Sequence, residues 1–245
     1  MNSNNKKFIW AILLSAGLML RATAEVYYSQ TSTNGLPNSG VIPDGDLNGL
    51  SEKVAVSGAG GVWNITDVQV TLHLTGGYNG DLYAYLVHGD GFAVLLNRVG
   101  VGLAQGDAFG YGNAGMDITL ATGGANGDIH WYGGATLPSG TYQPDGRLLD
   151  PLSAPNLFDG APRNANLGSF TGLDPNGDWT LFIADVSAGG GQTTTLSWGL
   201  VINAITPVPE PGAMALAALG LGLWGLRIAL QKRTLRSRSQ VPRAE

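Results

Sequence analysis

The segment Thr66–Thr75, TDVQVTLHLT, alternates without a break. Val68, Val70, Leu72 and Leu74 fall on one side, and Gln69, Thr71, His73 and Thr75 on the other. Period two lines one face of a strand, whereas a helix would scatter the same residues around its circumference. The pattern recurs. DLYAYLVH (Asp81–His88) places Leu82, Ala84 and Leu86 on one face and Tyr83 and Tyr85 on the other, and GDG then turns the chain into FAVLLNRV. Met116–Leu120, Ile129–Tyr132, DWTLFIAD (Asp178–Asp185) and TTTLSWGLVI (Thr193–Ile202) are further strand candidates. In the last of these Leu196, Trp198, Leu200 and Ile202 alternate. SAGGGQ between the final two runs predicts a hairpin. Between residues 25 and 206 no amphipathic helix of ordinary length is readable. Short strands separated by Gly-rich turns predict an all-β sandwich or barrel. Gly133–Leu167, poor in pattern and rich in Pro, Gly, Asn and Asp, is expected to be a long loop whose order the sequence leaves open.

Composition limits the chemistry. The 245 residues include no cysteine, which removes disulfides, zinc-thiolate sites and a cysteine nucleophile, so the core alone must hold the fold. Between Glu25 and Thr206 sixteen acidic residues, fourteen of them Asp, face only Lys53, Arg98, Arg147 and Arg163. An acidic body has little to neutralise phosphates with, so nucleic acid is not an expected partner. No nucleophile elbow, phosphate-binding loop or zinc-protease motif occurs, and no catalytic residue is assigned. His73 and His88 are expected on exposed strand faces; neither they nor His130 are spaced as a metal motif.

Two groups could bind something. In DGDLNG, Asp44, Asp46, Asn48 and Gly49 follow the first half of a calcium loop. The twelfth position is Ala55 and no helices flank it, so an EF-hand is rejected. A looser structural Ca²⁺ site using Asp81 and Asp185 stays open beside the plain reading that these residues shape turns. It is the one cofactor considered, and none is required. Tyr83, Tyr85, Trp131 and Tyr132 suit either ring contact with a glycan or packing across the sandwich.

The ends read as export signals. Lys6 and Lys7 precede the apolar run Phe8–Leu20, and Ala22 and Ala24 stand at −3 and −1 of an expected cleavage site, giving a signal peptide over residues 1–24 and signal peptidase as a processing partner. A lead-in over 25–40 and a sandwich over 41–204 follow. Near the C-terminus Pro209-Glu210-Pro211 lies in a Pro-rich linker (205–212). An apolar segment then runs over 213–230, including Arg227, and a basic tail (231–245) carries Lys232, Arg233, Arg236 and Arg238. The segment predicts a short membrane-spanning helix with its basic end on the cytoplasmic side. Proline, apolar segment and basic cluster together resemble the PEP-CTERM sorting signal of Gram-negative bacteria. That resemblance implies an exosortase as processing partner, a temporary inner-membrane anchor facing the periplasm, and release to the cell surface or an exopolysaccharide-linked matrix. Arg227 comes early for that pattern, and the tail is long.

IPDG (Ile42–Gly45), GGYNGDLYAYLV (Gly76–Val87) and NGDWTLFIADVSAGGGQTTTLSWGLVI (Asn176–Ile202) resemble the P-domain (P/Homo B domain) that follows the catalytic domain of proprotein convertases. The resemblance spans about residues 41–204 and implies a jelly-roll-like β-sandwich; some P-domains carry structural calcium. Where convertases usually show His-Thr-x-x-Gly-Asp-Leu this chain has Gly-Gly-Tyr-Asn-Gly-Asp-Leu (Gly76–Leu82), without the histidine and threonine, and no protease domain precedes the segment, so bracing a protease is not carried over. The expected function is a non-enzymatic exported protein, structural or adhesive. The alternatives are a glycan-binding module, or an enzyme or accessory acting with a separate secreted protease.

Overall fold

A computed structural model describes residues 25–33, 36–58, 63–133, 135–206 and 220–228. The chain divides into two units, Ala22–Pro207 and a second made of Met1–Arg21 with Val208–Glu245. Of the second only residues 220–228 are described. They form a helix whose Leu221, Leu223, Trp224, Leu226 and Ile228 are exposed. No helix among the described residues is long and apolar enough to cross a membrane. The rest of the expected span, the Pro209-Glu210-Pro211 motif, Lys232, Arg233, Arg236, Arg238, Ala22 and Ala24 lie outside the described residues.

The body contains β1 (Glu25–Ser32), β2 (Val41–Ile42), β3 (Asp46–Val56), β4 (Asn64–Thr75), β5 (Leu82–His88), β6 (Gly91–Asn97), β7 (Met116–Ala121), β8 (Gly140–Tyr142), β9 (Gly177–Asp185) and β10 (Thr193–Ile205). One sheet runs β1-β10-β4-β7-β8, with β2 also on β10; the other runs β3-β9-β5-β6. Every pairing is antiparallel except β7 with β8. The two sheets face each other through their apolar sides. Val68, Val70, Leu72 and Leu74 of β4 are buried as their alternation requires, in the same core as Leu82, Ala84 and Leu86 of β5 and Leu181 and Ile183 of β9. Trp179 and Trp198 are fully buried. Each large side chain removed from water in this way contributes about 1.5–3 kcal/mol, which is how a chain without cysteine holds together.

Four local expectations are corrected. β9 and β10 do not form a hairpin: β9 pairs with β3 and β5, whereas β10 pairs with β1, β2 and β4. The SAGGGQ turn therefore carries the chain from one sheet to the other. Leu196 is 44 % exposed, because a register shift between Thr195 and Ser197 breaks the alternation ahead of Trp198. Ile129–Trp131 is a 3-10 turn, since the Asp128 carboxylate accepts from the His130 backbone N–H and caps it. His88 is buried, not exposed: it shares parity with Leu82, Ala84 and Leu86. Its ring stacks on Trp179 at 4.1 Å and lies against the carbonyls of Asp174 and Asp178. His73 is exposed, as expected.

Gly133–Leu167 is largely irregular but anchored. Val94 N–H donates to Ala165 O, and Asp145 N–H and Gly146 N–H donate to Leu95 O and Val94 O, so this excursion covers the outer edge of β6. Phe158 and Leu167 add to the buried apolar residues. On the opposite side of the sandwich, Glu52 of β3 accepts from Ser32 of β1 and from Trp198 Nε1 of β10 (2.6 Å), tying the two sheets.

Candidate functional site

Two buried polar clusters stand out, and they differ in whether their charges are matched. The first is built on the capped 3-10 turn. It presents His130, fully buried, between Asp145 Oδ2 (2.6 Å from Nδ1) and the Val101 carbonyl (2.9 Å from Nε2). The Asp145 Oδ2 also accepts from Asn97 N–H, while Oδ1 accepts from Arg147 N–H and Nη1. Arg147 Nη2 donates to Asp128 at 3.0 Å, and Arg163 lies 3.4 Å from the other Asp128 oxygen. Burial opposes the charge on Arg147, but the carboxylates of Asp145 and Asp128 outweigh it and hold its pKa above the usual arginine value. Each oxygen of Asp145 has a donor and each charge an opposite neighbour. The sequence offered Arg147 and Arg163 only as two of four basic residues and His130 only as outside a metal motif; nothing in it joined them to Asp128 and Asp145.

The second cluster lies where β5 begins and β9 ends. Asp185 closes β9, opposite Leu82 of β5 and Asp46 of β3. Asp81 closes the 3-10 turn Asn79–Asp81 that leads into β5. Asp185 is fully buried. One of its oxygens accepts from Ser187 N–H at 3.2 Å; the Gly45 N–H also acts on the carboxylate, but Oδ2 has no partner of good hydrogen-bond geometry. Burial, with the charges of Asp81 and Asp44 added, pushes its pKa up to about 6. Burial also raises Asp81, against the pull of Arg98 and a hydrogen bond from the Ser187 hydroxyl. Arg98 is a weak counter-charge. Its Nη2 stands 4.0 Å from Asp81, while its guanidinium donates to the carbonyls of Gly80 and Phe109.

The structure thus gathers Asp44, Asp81 and Asp185 into one electrostatic neighbourhood, as the calcium reading required, but it divides the DGDLNG loop. Asp44 accepts from Gly189 N–H at 2.9 Å, on the turn after β9. Asp46 accepts from both nitrogens of Asn48 on the exposed edge of β3. A register shift between Asp46 and Leu50 separates the two ends. Gly49, at φ +53°, lets this edge lie on β9: a Cβ there would come within 2.4 Å of Ile183 O. Calcium takes six to eight oxygens. Among the described residues no three His, Asp or Glu side chains converge to hold a metal ion.

Above Asp81 opens a cleft of about 220 Å³, lined by Tyr78, Phe109 and Tyr111 on its aromatic side and by residues 187–190 on the other. None of these aromatics was singled out from the sequence. The four aromatic residues that were singled out do not form one face. Tyr83 and Tyr85 are half-buried on the outer face of β5, in a row with Phe92 (5.3 Å from Tyr85) and Phe182 (4.7 Å, stacked on Tyr85). Trp131 packs edge-on to His130 at 4.3 Å and beneath Arg147. Tyr132 packs on Tyr111 and donates its hydroxyl proton to Asn113.

Residues 207–233 match the family described as the PEP-CTERM protein-sorting motif, so the chain carries this C-terminal sorting signal directly after the sandwich. No curated protein matches the chain by sequence. Among solved structures, it is similar to the Aeromonas sobria serine protease in complex with its chaperone (TM-score 0.43, 14 % identity) and to the same protease alone (TM-score 0.42, 14 % identity). These matches cover 80 % and 79 % of this chain but only 30 % and 29 % of the protease chains.

Proposed function

We propose that the protein is an exported, exosortase-sorted, non-catalytic surface or matrix component, in which a P-domain-like, jelly-roll-like sandwich is the delivered part and the C-terminal tail the address. The observation that carries this reading is the sorting motif at residues 207–233, which begins just after β10 ends at Ile205. An N-terminal signal peptide, a temporary membrane helix over 213–230 and release by exosortase belong to the same reading. The test is to express the full chain in a Gram-negative host with and without its exosortase. With the enzyme, the protein should lose its tail mass and leave the membrane fraction; Glu210→Ala with Pro211→Ala should keep it membrane-bound. Identical mass and location in both hosts would overturn the proposal.

A second reading, glycan binding, is favoured by the half-exposed row Tyr83–Tyr85–Phe92–Phe182. Tyr85→Ala should abolish retention on immobilised exopolysaccharide, whereas retention equal to that of the unaltered protein would exclude this face.

A further inference from the structure

The cleft over Asp81 combines three features. Its floor is a carboxylate whose residue is 6 % exposed and whose nearest cation, Arg98, stands 4.0 Å away and donates through Nε and Nη2 to the Gly80 and Phe109 carbonyls. Its walls are aromatic. Tyr78 is 45 % exposed and lies against the backbone of Gly190, where an added Cβ would come within 2.5 Å of the ring. Phe109 is 79 % exposed on a pinned turn. Asp107 accepts from the N–H groups of both Phe109 and Gly110, the Phe109 carbonyl accepts from Arg98, and Tyr111 N–H donates to Val99 O. A large apolar ring held in water on a rigid backbone gains nothing for the fold, yet it is already positioned for a ligand. The third feature is surplus negative charge: behind the floor sits the fully buried carboxylate of Asp185, held by backbone N–H groups of Ser187 and Gly45 but by no cation, with Asp44 adjoining.

A bare divalent ion would need more oxygens than converge here, and it gains little from ring walls. An organic ammonium group needs only one carboxylate and is attracted by ring faces. We propose that the cleft binds a primary ammonium group on a slender stem, as in a lysine side chain presented by a partner polypeptide, with Asp81 accepting its N–H donors and Tyr78, Phe109 and Tyr111 enclosing its methylenes. A guanidinium is broader and flat. A quaternary amine has no N–H to give Asp81. The acidic body, with sixteen acids to four bases between residues 25 and 206, attracts such a partner from a distance.

The test titrates the full-length chain in detergent with Nα-acetyl-lysine methylamide by calorimetry, with the norleucine analogue, choline, ethanolamine and calcium chloride as comparisons. The lysine derivative should bind saturably and weakly, at roughly millimolar Kd, and the norleucine analogue should not. Phe109→Ala, an exposed position whose loss leaves the core intact, and Asp81→Asn should each weaken binding about fivefold or more. Equal binding of norleucine, tighter binding of choline or ethanolamine, displacement of the probe by calcium, or unchanged affinity in Phe109→Ala would overturn the proposal.

Discussion

The two buried clusters use the same residue type to opposite effect. Around Asp145, aspartate is surrounded: both oxygens accept hydrogen bonds, and Arg147, Arg163 and His130 stand against it and Asp128. Around Asp185, aspartates face one another, only backbone N–H groups act on its carboxylate, and Arg98 is turned toward carbonyls. Burying a charge is tolerable when it is paired and hydrogen-bonded, and costly when it is not. The first cluster therefore stabilises the long excursion over β6. The second holds electrostatic strain at the mouth of an aromatic cleft, where a cation would relieve it.

The largest expected effect breaks the matched cluster. Asp145→Ala removes the carboxylate that buried His130 and Arg147 share and should lower unfolding free energy by about 3–5 kcal/mol, read from the urea midpoint. A shift below about 1 kcal/mol would mean that the network is not the anchor of the excursion. Next, Gly49→Ala should destabilise by about 2 kcal/mol, because its left-handed backbone and its approach to Ile183 O both reject a Cβ. An unchanged melting temperature would show that the β3 edge does not depend on that close packing.

Asp185→Asn should act in the opposite direction. Because the folded state raises this pKa from 3.8 to about 6, the native protein holds its proton more tightly than the unfolded chain does. Stability therefore falls as pH rises between about 4 and 6, and the penalty persists above that window. The amide removes the penalty and should stabilise the protein by about 2 kcal/mol at pH 7 while flattening this slope. A loss of stability at pH 7 would put Asp185 with Asp145 as a satisfied residue. The smallest effect belongs to Phe109→Ala. Its unfolding midpoint should stay within about 0.5 kcal/mol of the parent, since the ring is exposed and covers no core.

Much of the sandwich was legible because period two is a property of neighbouring residues. β4 and β5 show it without interruption, and their inward residues are the buried ones. β3 was missed because the irregularity between Asp46 and Leu50 spoils its alternation, and β1 because Tyr, Gln, Thr and Ser on an edge strand carry little apolar signal. His88 was legible by parity and was misplaced because the polar residue type was weighted above its position. The candidate sites were less legible. Asp81 and Asp185 could be picked out as aspartates near strand ends. Asp128, Asp145, Arg163 and His130 lie in turns and loop, where no periodicity says which way a side chain points.

The sequence by itself determined the architecture class, the absence of cross-links, the acidic body and the sorting signal, since each rests on local pattern or on composition. Tertiary structure alone decided that β9 and β10 belong to different sheets, that Trp131 and Tyr132 pack against neighbouring side chains, and that one set of aspartates is closely paired with arginines while another has only the distant Arg98. Those outcomes depend on which distant segments are brought together, and on how much water is left around each charge when they meet.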